Sequence, residues 1–322
     1  MFAVTATSFS TDAPLSGLEL GERPEPEALD GWTTVTVKAT ALNHHDLWSL
    51  RGVGLREEQL PMILGCDAAG YDEEGNEVVV HAVVASLDWT GDETLDPKRS
   101  LLSERHQGTF ADRVVVPRRN VVPKPSSLSF EEAACLPTAW LTAYRMLFSQ
   151  GGLKAGDSVL VQGAGGGVAT ALISLARAGG LRVWATSRDE SKRRRAVELG
   201  AHEVFDSNAR LPGKVDAVME TVGRATWSHS VRALRPGGVI VVSGTTSGPK
   251  LDDAELTRIF FLQLRVIGST MGTRSELASL VQLLDATGVR PLIDRTLPLE
   301  EARDGFAAMA KGDVFGKIVF TR

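Results

Sequence analysis

The stretch ALNHHDLWSLRG, residues 41–52, sets His44 and His45 directly before Asp46. Imidazole nitrogens and carboxylate oxygens bind divalent metals, and imidazole moves protons near neutral pH. A little further on, Cys66 and Asp67 follow Gly65 in ILGCDAAG and add a soft ligand and a second acid. Taken alone, these residues fit a metal site, an acid–base group or a braced loop, and the rest of the chain has to decide between them.

The chain has 322 residues, enough for two domains, and is 43% apolar, enough for ordinary cores. The formal net charge is −5 with both signs interspersed. That pattern argues against a nucleic-acid binder or a binder of anionic membranes, and leaves a small molecule as the expected partner. The longest apolar runs, such as VIVV, are far too short to span a membrane. The opening MFAVTATSFSTDAP has no basic segment followed by an apolar one, so no signal peptide is expected. With only two cysteines, Cys66 and Cys135, a disulfide scaffold is not expected and a cytoplasmic location is.

The elements that must position these residues come in two textures. Up to about residue 125 the chain reads as β-structure. WTTVTVKA alternates polar and apolar residues, and EVVVHAVVA and DRVVVP are short β-branched runs, with prolines and glycines between them. From about residue 130 strands alternate with helices, which predicts a parallel sheet covered on both faces. The closing FGKIVF is strand-like again and is expected to rejoin the first half.

The strand SVLVQ runs into GAGGG and then into VATALISLARAGG, where Val168, Ala171, Leu172, Leu175 and Ala176 make one apolar stripe. Strand, glycine turn and helix in this order are what a dinucleotide needs. Backbone must approach the pyrophosphate closely, and a helix N-terminus presents free N–H groups. Gly163, Gly165, Gly166, Gly167 and Val168 are the predicted contacts. After the next strand, RVWATS, an NAD-specific enzyme carries an acid for the ribose. Here the chain reads SRDESK. Ser187 offers a hydroxyl, and Arg188 and Lys192 offer charge to a 2′-phosphate, which predicts NADP(H). Asp189 is either the N-cap of the following helix or a weak signal for NAD.

Further segments now fall into a recognisable order: VKATALNHHDLW, LPMILGCDAAG, GTFADRVVVPRRNVVPKP, AACLPTAWLTAYRML, LKAGDSVLVQGAGGGVA, ELGAHEVFD, SVRALRPGGVIVVSG and FGKIVF. On these the chain resembles the medium-chain dehydrogenase/reductase superfamily along nearly its whole length. It looks most similar to the zinc-independent, quinone-oxidoreductase-like branch, often labelled zinc-type alcohol dehydrogenase-like. The resemblance implies an α/β fold: a Rossmann doubly wound parallel sheet plus a GroES-like, mainly β substrate domain, with a cleft between them. The expected boundaries are 1–125 completed by 273–322 for the GroES-like domain and 126–272 for the Rossmann domain.

Zinc-dependent relatives carry a Cys where this chain has Asn43, His-Glu where it has Cys66-Asp67, and a Cys where it has Thr138. Their four-cysteine lobe corresponds to SLDWTGDETLDPKRSLLSERHQ, which contains no cysteine. A catalytic zinc needs three protein ligands, so no zinc is expected. A rearranged site from His45, Asp46 and Cys66 is the alternative.

The same resemblance assigns roles. It places Asn43 near the nicotinamide and substrate, and His45 where relatives carry a proton-relaying hydroxyl. It puts His44 within reach of the cofactor phosphates, Trp48 on the pocket wall, Thr142 against the nicotinamide and Lys317 near the cofactor. Asp46 is expected to brace its loop. Gly244 and Thr245, and Ser269, Thr270 and Met271, follow the last two predicted parallel strands, at the edge that faces ligand. Each has a plainer alternative: a satisfied structural histidine at 45, an ordinary helix threonine at 142, a core aromatic at 48, a solvated lysine at 317. Two departures from the family stand out: Ala169 replaces the usual third glycine, and FDSNARLPGKVDAV leaves no room for a crossover helix.

The activity expected from this reading is metal-free, NADPH-dependent reduction of a conjugated carbonyl, a quinone or an enone. The rival reading is a non-catalytic NADPH-binding sensor or partner-binding protein, and a zinc alcohol dehydrogenase is disfavoured by the missing ligands. Relatives often form dimers by joining sheet edges, so a homodimer is expected.

Overall fold

The computed structural model describes residues 1–322 and divides into two compact units, Met1–Leu141 with Met271–Arg322, and Thr142–Thr270. The chain leaves the first unit later than the expected residue 125, for a packing reason. Lys124 pairs with Glu77 at 2.7 Å and lies over the Phe130 ring, which packs edge-on against Tyr71. These contacts hold the Phe130–Ala134 helix on the β unit.

The first unit is built on a seven-stranded sheet. Along it lie Val121–Pro123, Glu77–Val80, Ala68–Tyr71, Trp32–Ala41, Lys317–Thr321 and Ile293–Pro298, with Arg113–Pro117 also pairing to Trp32–Ala41. The alternation in WTTVTVKA does what it predicts: Val35 and Val37 are buried and Thr36 faces water. They pack with Val78, Val80, Val114 and Val116 in one core cluster. The C-terminal strand rejoins this sheet, pairing antiparallel with Trp32–Ala41 and parallel with Ile293–Pro298. A second core gathers Leu42, Leu47, Leu50 and Leu64 around Phe110, whose ring meets Phe306 and Phe320 edge-on.

The second unit is a six-stranded, wholly parallel sheet. In space its strands run Glu203–Phe205, Arg182–Thr186, Ser158–Val161, Val215–Glu220, Leu234–Val242 and Arg265–Gly268. In sequence order that is 3-2-1-4-5-6, the dinucleotide-binding arrangement whose direction reverses beside the first strand. The Gly167–Ala178 helix follows the glycine turn and buries eight consecutive residues, Ala169 to Ala176. No helix forms between Glu203–Phe205 and Val215–Glu220, as the short spacer predicts.

Candidate active site

Asn43 ends the Trp32–Ala41 segment and starts the short His44–Ser49 helix, which Leu47 and Leu50 anchor in the core. Asp46 braces this start through backbone, and its Oδ1 also lies 3.9 Å from His45 Nδ1. Its Oδ2 accepts from the Asn43 N–H at 2.9 Å and its Oδ1 from the Gly65 N–H at 3.1 Å, and it is fully buried. Gly65 is required for that approach. Its φ is +98°, and a Cβ there would fall 2.5 Å from the Phe110 ring. The turn it makes delivers Cys66 beside His45 and Asp67 beside Asn43.

Around Asn43 the chain closes a buried polar cluster. Lys317 donates to the Leu42 carbonyl at 2.9 Å, to Asn43 Oδ1 at 2.7 Å and to Asp67 Oδ2 at 3.1 Å. The Asn43 amide donates to the Ala41 carbonyl at 3.2 Å and to Asp67 Oδ2 at 2.8 Å. Thr138 is close enough to influence the same carboxylate, while its Oγ1 and Asp67 Oδ1 are buried without a hydrogen-bond partner. Burial pushes the Asp67 carboxyl up, and Lys317, Thr138 and Asn43 pull it back.

Lys317, expected near the cofactor, is 2% exposed, with a chain acceptor for each of its three protons. Both amide protons of Asn43, expected near the nicotinamide and substrate, likewise have chain acceptors.

His45 forms a second cluster. Its Nε2 lies 3.2 Å from Glu104 Oε1, its Nδ1 lies 3.5 Å from Cys66 Sγ, and its side chain is 21% exposed. The buried Cys66 thiol donates to the Leu102 carbonyl at 3.2 Å. Burial opposes charge on the His45 ring, but Cys66, Asp46 and Glu104 outweigh it and hold the imidazole well above its usual range. Burial pushes the Cys66 thiol up despite His45, and His45 is the main influence holding the Glu104 carboxyl down against its own partial burial. The possible ligand atoms of His45, Asp46 and Cys66 all lie within 4.8 Å of one another. Both Asp46 oxygens already accept backbone N–H groups, and the thiol is turned to a carbonyl. Of the neighbours, His44 is exposed and Trp48 half-buried.

The second unit carries the glycine turn at the end of Ser158–Val161. Gly163 has φ +75°, and a Cβ there would meet Val222 at 2.8 Å. Gly166 opens the helix as its N-cap, followed by Gly167 and Val168. Lys192 lies over Gly165, where an added Cβ would sit 2.9 Å from the lysine Cδ. Past the second strand, Ser187 is buried, its Oγ accepting from the Asp189 N–H at 3.2 Å, while Arg188 is exposed. Asp189 caps the next helix, accepting from the Ser191 and Lys192 N–H groups. Of its two sequence readings, the N-cap is the one formed.

Gly244 and Thr245 follow the fifth strand in half-buried positions, and Gly244 packs over Thr221. Ser269 follows the sixth, its N–H on the Val242 carbonyl at 2.8 Å, and Thr270 is exposed. Thr142 is buried at the start of this unit. Met271 begins the return to the first unit and is buried there with Cys66, Ala82 and Val83.

Sequence reasoning missed a buried polar network in the second unit. Gln162 joins Thr186 at 2.6 Å, Ser230 at 2.9 Å and His229 at 2.9 Å, and Ser230 donates to Glu220 at 2.6 Å. His229, given no role from its sequence, also lines a polar cavity of about 400 Å³ with Arg224, Ser228 and Arg232. The available signal was Glu220-Thr-Val-Gly223, an acid and a glycine directly after a strand. Glu220 accepts the Val222 and Gly223 N–H groups and so shapes that turn.

A parallel sheet in 3-2-1-4-5-6 order, a glycine turn at its reversal point and a separate antiparallel β unit define a two-unit, dinucleotide-fold oxidoreductase. Comparison with known proteins narrows the class. A zinc-binding dehydrogenase family model matches residues 167–286, and an alcohol dehydrogenase GroES-like domain matches residues 29–126. The mouse (Mus musculus) quinone oxidoreductase is 30% identical over 83% of this chain and 82% of its own. The acryloyl-coenzyme A reductase of Sulfurisphaera tokodaii is 27% identical over 95% of this chain and 97% of its own. A solved NAD-dependent alcohol dehydrogenase superposes with a TM-score of 0.92 at 34% identity, covering 100% of both chains. The chain belongs to the medium-chain dehydrogenase/reductase superfamily.

Proposed function

We propose that the protein is a zinc-independent, NADPH-dependent reductase of conjugated carbonyls, a quinone or an enone. One observation carries the metal-free part. Three positions at which zinc-dependent relatives place or flank their ligands, Asn43, Asp67 and Thr138, converge on the Lys317 ammonium or on its carboxylate partner. The cation that such a cluster needs is supplied by the chain. The alternative set fits zinc poorly, because both Asp46 oxygens are already spent on backbone N–H groups.

Bound NADPH would supply a hydride from its nicotinamide C4 to the electrophilic carbon. His45, whose imidazole is shifted well above its usual range, would donate to the negative oxygen that develops and supply a proton. A conjugated acceptor spreads its charge and needs less polarisation than a plain ketone, which suits a site whose positive charge is an imidazolium. The similarity to a quinone oxidoreductase and to an acryloyl-coenzyme A reductase, each named for a conjugated acceptor, supports this choice.

Preference for NADPH rests on the second-strand loop, where Asp189 is committed to its helix and Arg188 is free to meet a phosphate. A homodimer through the outer edge of Arg265–Gly268 completes the proposal, because that strand ends the parallel sheet.

Purified, untagged protein should oxidise NADPH with members of a quinone and enone panel while containing well under one zinc per chain. Stoichiometric zinc with loss of activity on chelation would sink the metal-free reading. Tight NADPH binding without turnover of any acceptor would favour the binding-only alternative.

A further inference from the structure

The buried network beneath the glycine turn has its donors and acceptors fixed by backbone groups at its ends. The Gly163 N–H can only donate, and it donates to Thr186 Oγ1 at 3.3 Å. The Thr186 hydroxyl gives its own proton to Gln162 Oε1 at 2.6 Å. At the far end the Ala209 carbonyl can only accept, so the His229 Nε2 that faces it at 2.9 Å carries a hydrogen. Burial holds that ring below its usual range, so Nδ1 is bare and takes one proton of the Gln162 amide at 2.9 Å. The second amide proton goes to Ser230 at 2.9 Å, and Ser230 donates to Glu220 Oε2 at 2.6 Å. Turning the amide over would set its NH2 against the Thr186 proton and its oxygen against the bare ring nitrogen.

Three loops at the carboxyl edge of the parallel sheet meet on this network. Gln162 directly precedes the glycine turn. Thr186 ends the second strand and directly precedes Ser187 and Arg188. It holds the turn twice, because its carbonyl accepts the Ala164 N–H at 2.7 Å while its hydroxyl accepts that of Gly163. Glu220 ends the fourth strand and accepts the Val222 and Gly223 N–H groups and the Thr226 and Ser230 hydroxyls. The turn so held sets Val222 against Gly163. Gln162, Thr186, Glu220 and Ser230 are all fully buried, so a bond removed there has no solvent to replace it.

We propose that Thr186 is a positioning residue for the cofactor: anchored through its hydroxyl to Gln162, it holds the glycine turn in the conformation that receives the pyrophosphate. The proposal rests on the reading that this turn binds NADPH. Thr186 acts through the Gly163 and Ala164 backbone, whereas Arg188 is assigned to the 2′-phosphate itself. A turn held ready before binding spares the cofactor the cost of ordering it. The two roles predict different outcomes. The pyrophosphate is common to NADPH and NADH, so loosening the turn weakens both alike, while loss of Arg188 separates them.

The test titrates NADPH and NADH by fluorescence into wild type, Thr186→Val, Thr186→Ser, Gln162→Met and the Thr186→Val, Gln162→Met double variant, each at a temperature where circular dichroism shows it folded. Thr186→Val keeps the shape and removes the hydroxyl, which leaves the Gly163 N–H and Gln162 Oε1 unpaired. Affinity for both cofactors should fall by a common factor of about three- to tenfold, the scale of one hydrogen bond. Thr186→Ser restores the hydroxyl and should return both affinities to near wild type. Gln162→Met should weaken both cofactors too, and the double variant should lose no more than the worse single, because both changes break one connection. A wild type that binds neither cofactor would overturn the underlying reading of the glycine turn. Where wild type binds, the assignment of Thr186 is wrong if the folded valine variant keeps both affinities, loses NADPH alone or is not rescued by serine. Should that variant fail to fold, Gln162→Met carries the same prediction, and unchanged affinities there sink it.

Discussion

At the scale of single residues, Lys317 decides how the cluster works. Its ammonium is 2% exposed and its partner Asp67 fully buried, so each charge relies on the other. Removing one partner of a buried pair typically costs about 3–5 kcal/mol, because the remaining charge stays behind unpaired. Lys317→Met should therefore destabilise the protein by about that much in urea unfolding. The double variant Lys317→Met with Asp67→Asn should recover part of the loss, since a neutral amide is cheaper to bury than a lone carboxylate. A loss of under about 1 kcal/mol in the single variant, the scale of an exposed pair, would mean that the two charges are not coupled as described. The sequence singled out Asn43 and His45 for the chemistry and Lys317 for the cofactor, but it could not assign their partners. Lys317 and Asp67 lie 250 positions apart in the chain. Which way a lysine turns is settled by packing between strands, and periodicity carries no trace of that. The contact of Glu104 with His45 was invisible for the same reason, since the two lie 59 positions apart.

At the scale of elements, the sequence was far more informative. A strand, a glycine turn and a striped helix are local features, and residues 158–178 form them in that order. The missing crossover helix was equally readable, because a spacer of that length cannot hold one. What escaped was the element boundary near residue 141, where side-chain contacts from Lys124 and Phe130 override the change in texture. The loop after the second parallel strand is where an element makes a specificity decision. Asp189 spends its carboxylate on two helix N–H groups, and Ser187 sits buried behind an exposed Arg188. A charge-assisted hydrogen bond from Arg188 to a 2′-phosphate is worth about 1.5–3 kcal/mol, reduced toward the lower end by solvent. Arg188→Ala should then weaken NADPH binding by about tenfold or somewhat more and leave NADH nearly unchanged. Ser187→Asp should shift preference toward NADH by repelling the phosphate. Fluorescence titration of both cofactors into the three proteins checks this. Wild-type affinities that are equal for NADH and NADPH would show that this loop does not read the phosphate.

At the scale of the whole molecule, the most telling surface is apolar. Leu256, Phe260 and Phe261 on the Leu256–Phe261 helix are 69%, 70% and 76% exposed, and Val266 on the neighbouring Arg265–Gly268 strand is 45% exposed. Single exposed apolar residues are ordinary, but several on adjacent elements form a patch of the kind that proteins cover. The strand beside them is the last of the parallel sheet, with one edge of backbone N–H and C=O groups lacking a strand neighbour. Pairing that edge with its copy across a two-fold axis would satisfy the backbone groups, and the proposed homodimer would cover both phenylalanines in a self-complementary interface. Wild type should therefore run at twice the chain mass of 34.5 kDa in light scattering at micromolar concentration. Phe260→Asp with Phe261→Asp should shift it to the single-chain mass. Both side chains are solvent-exposed in the folded chain, so the change should leave the melting temperature of the monomer close to that of other surface variants. A fall in mass without unfolding then reports the interface itself. A wild type that is monomeric, or a dimer indifferent to two aspartates in this patch, would mean that the sheet edge is closed by some means other than a second copy.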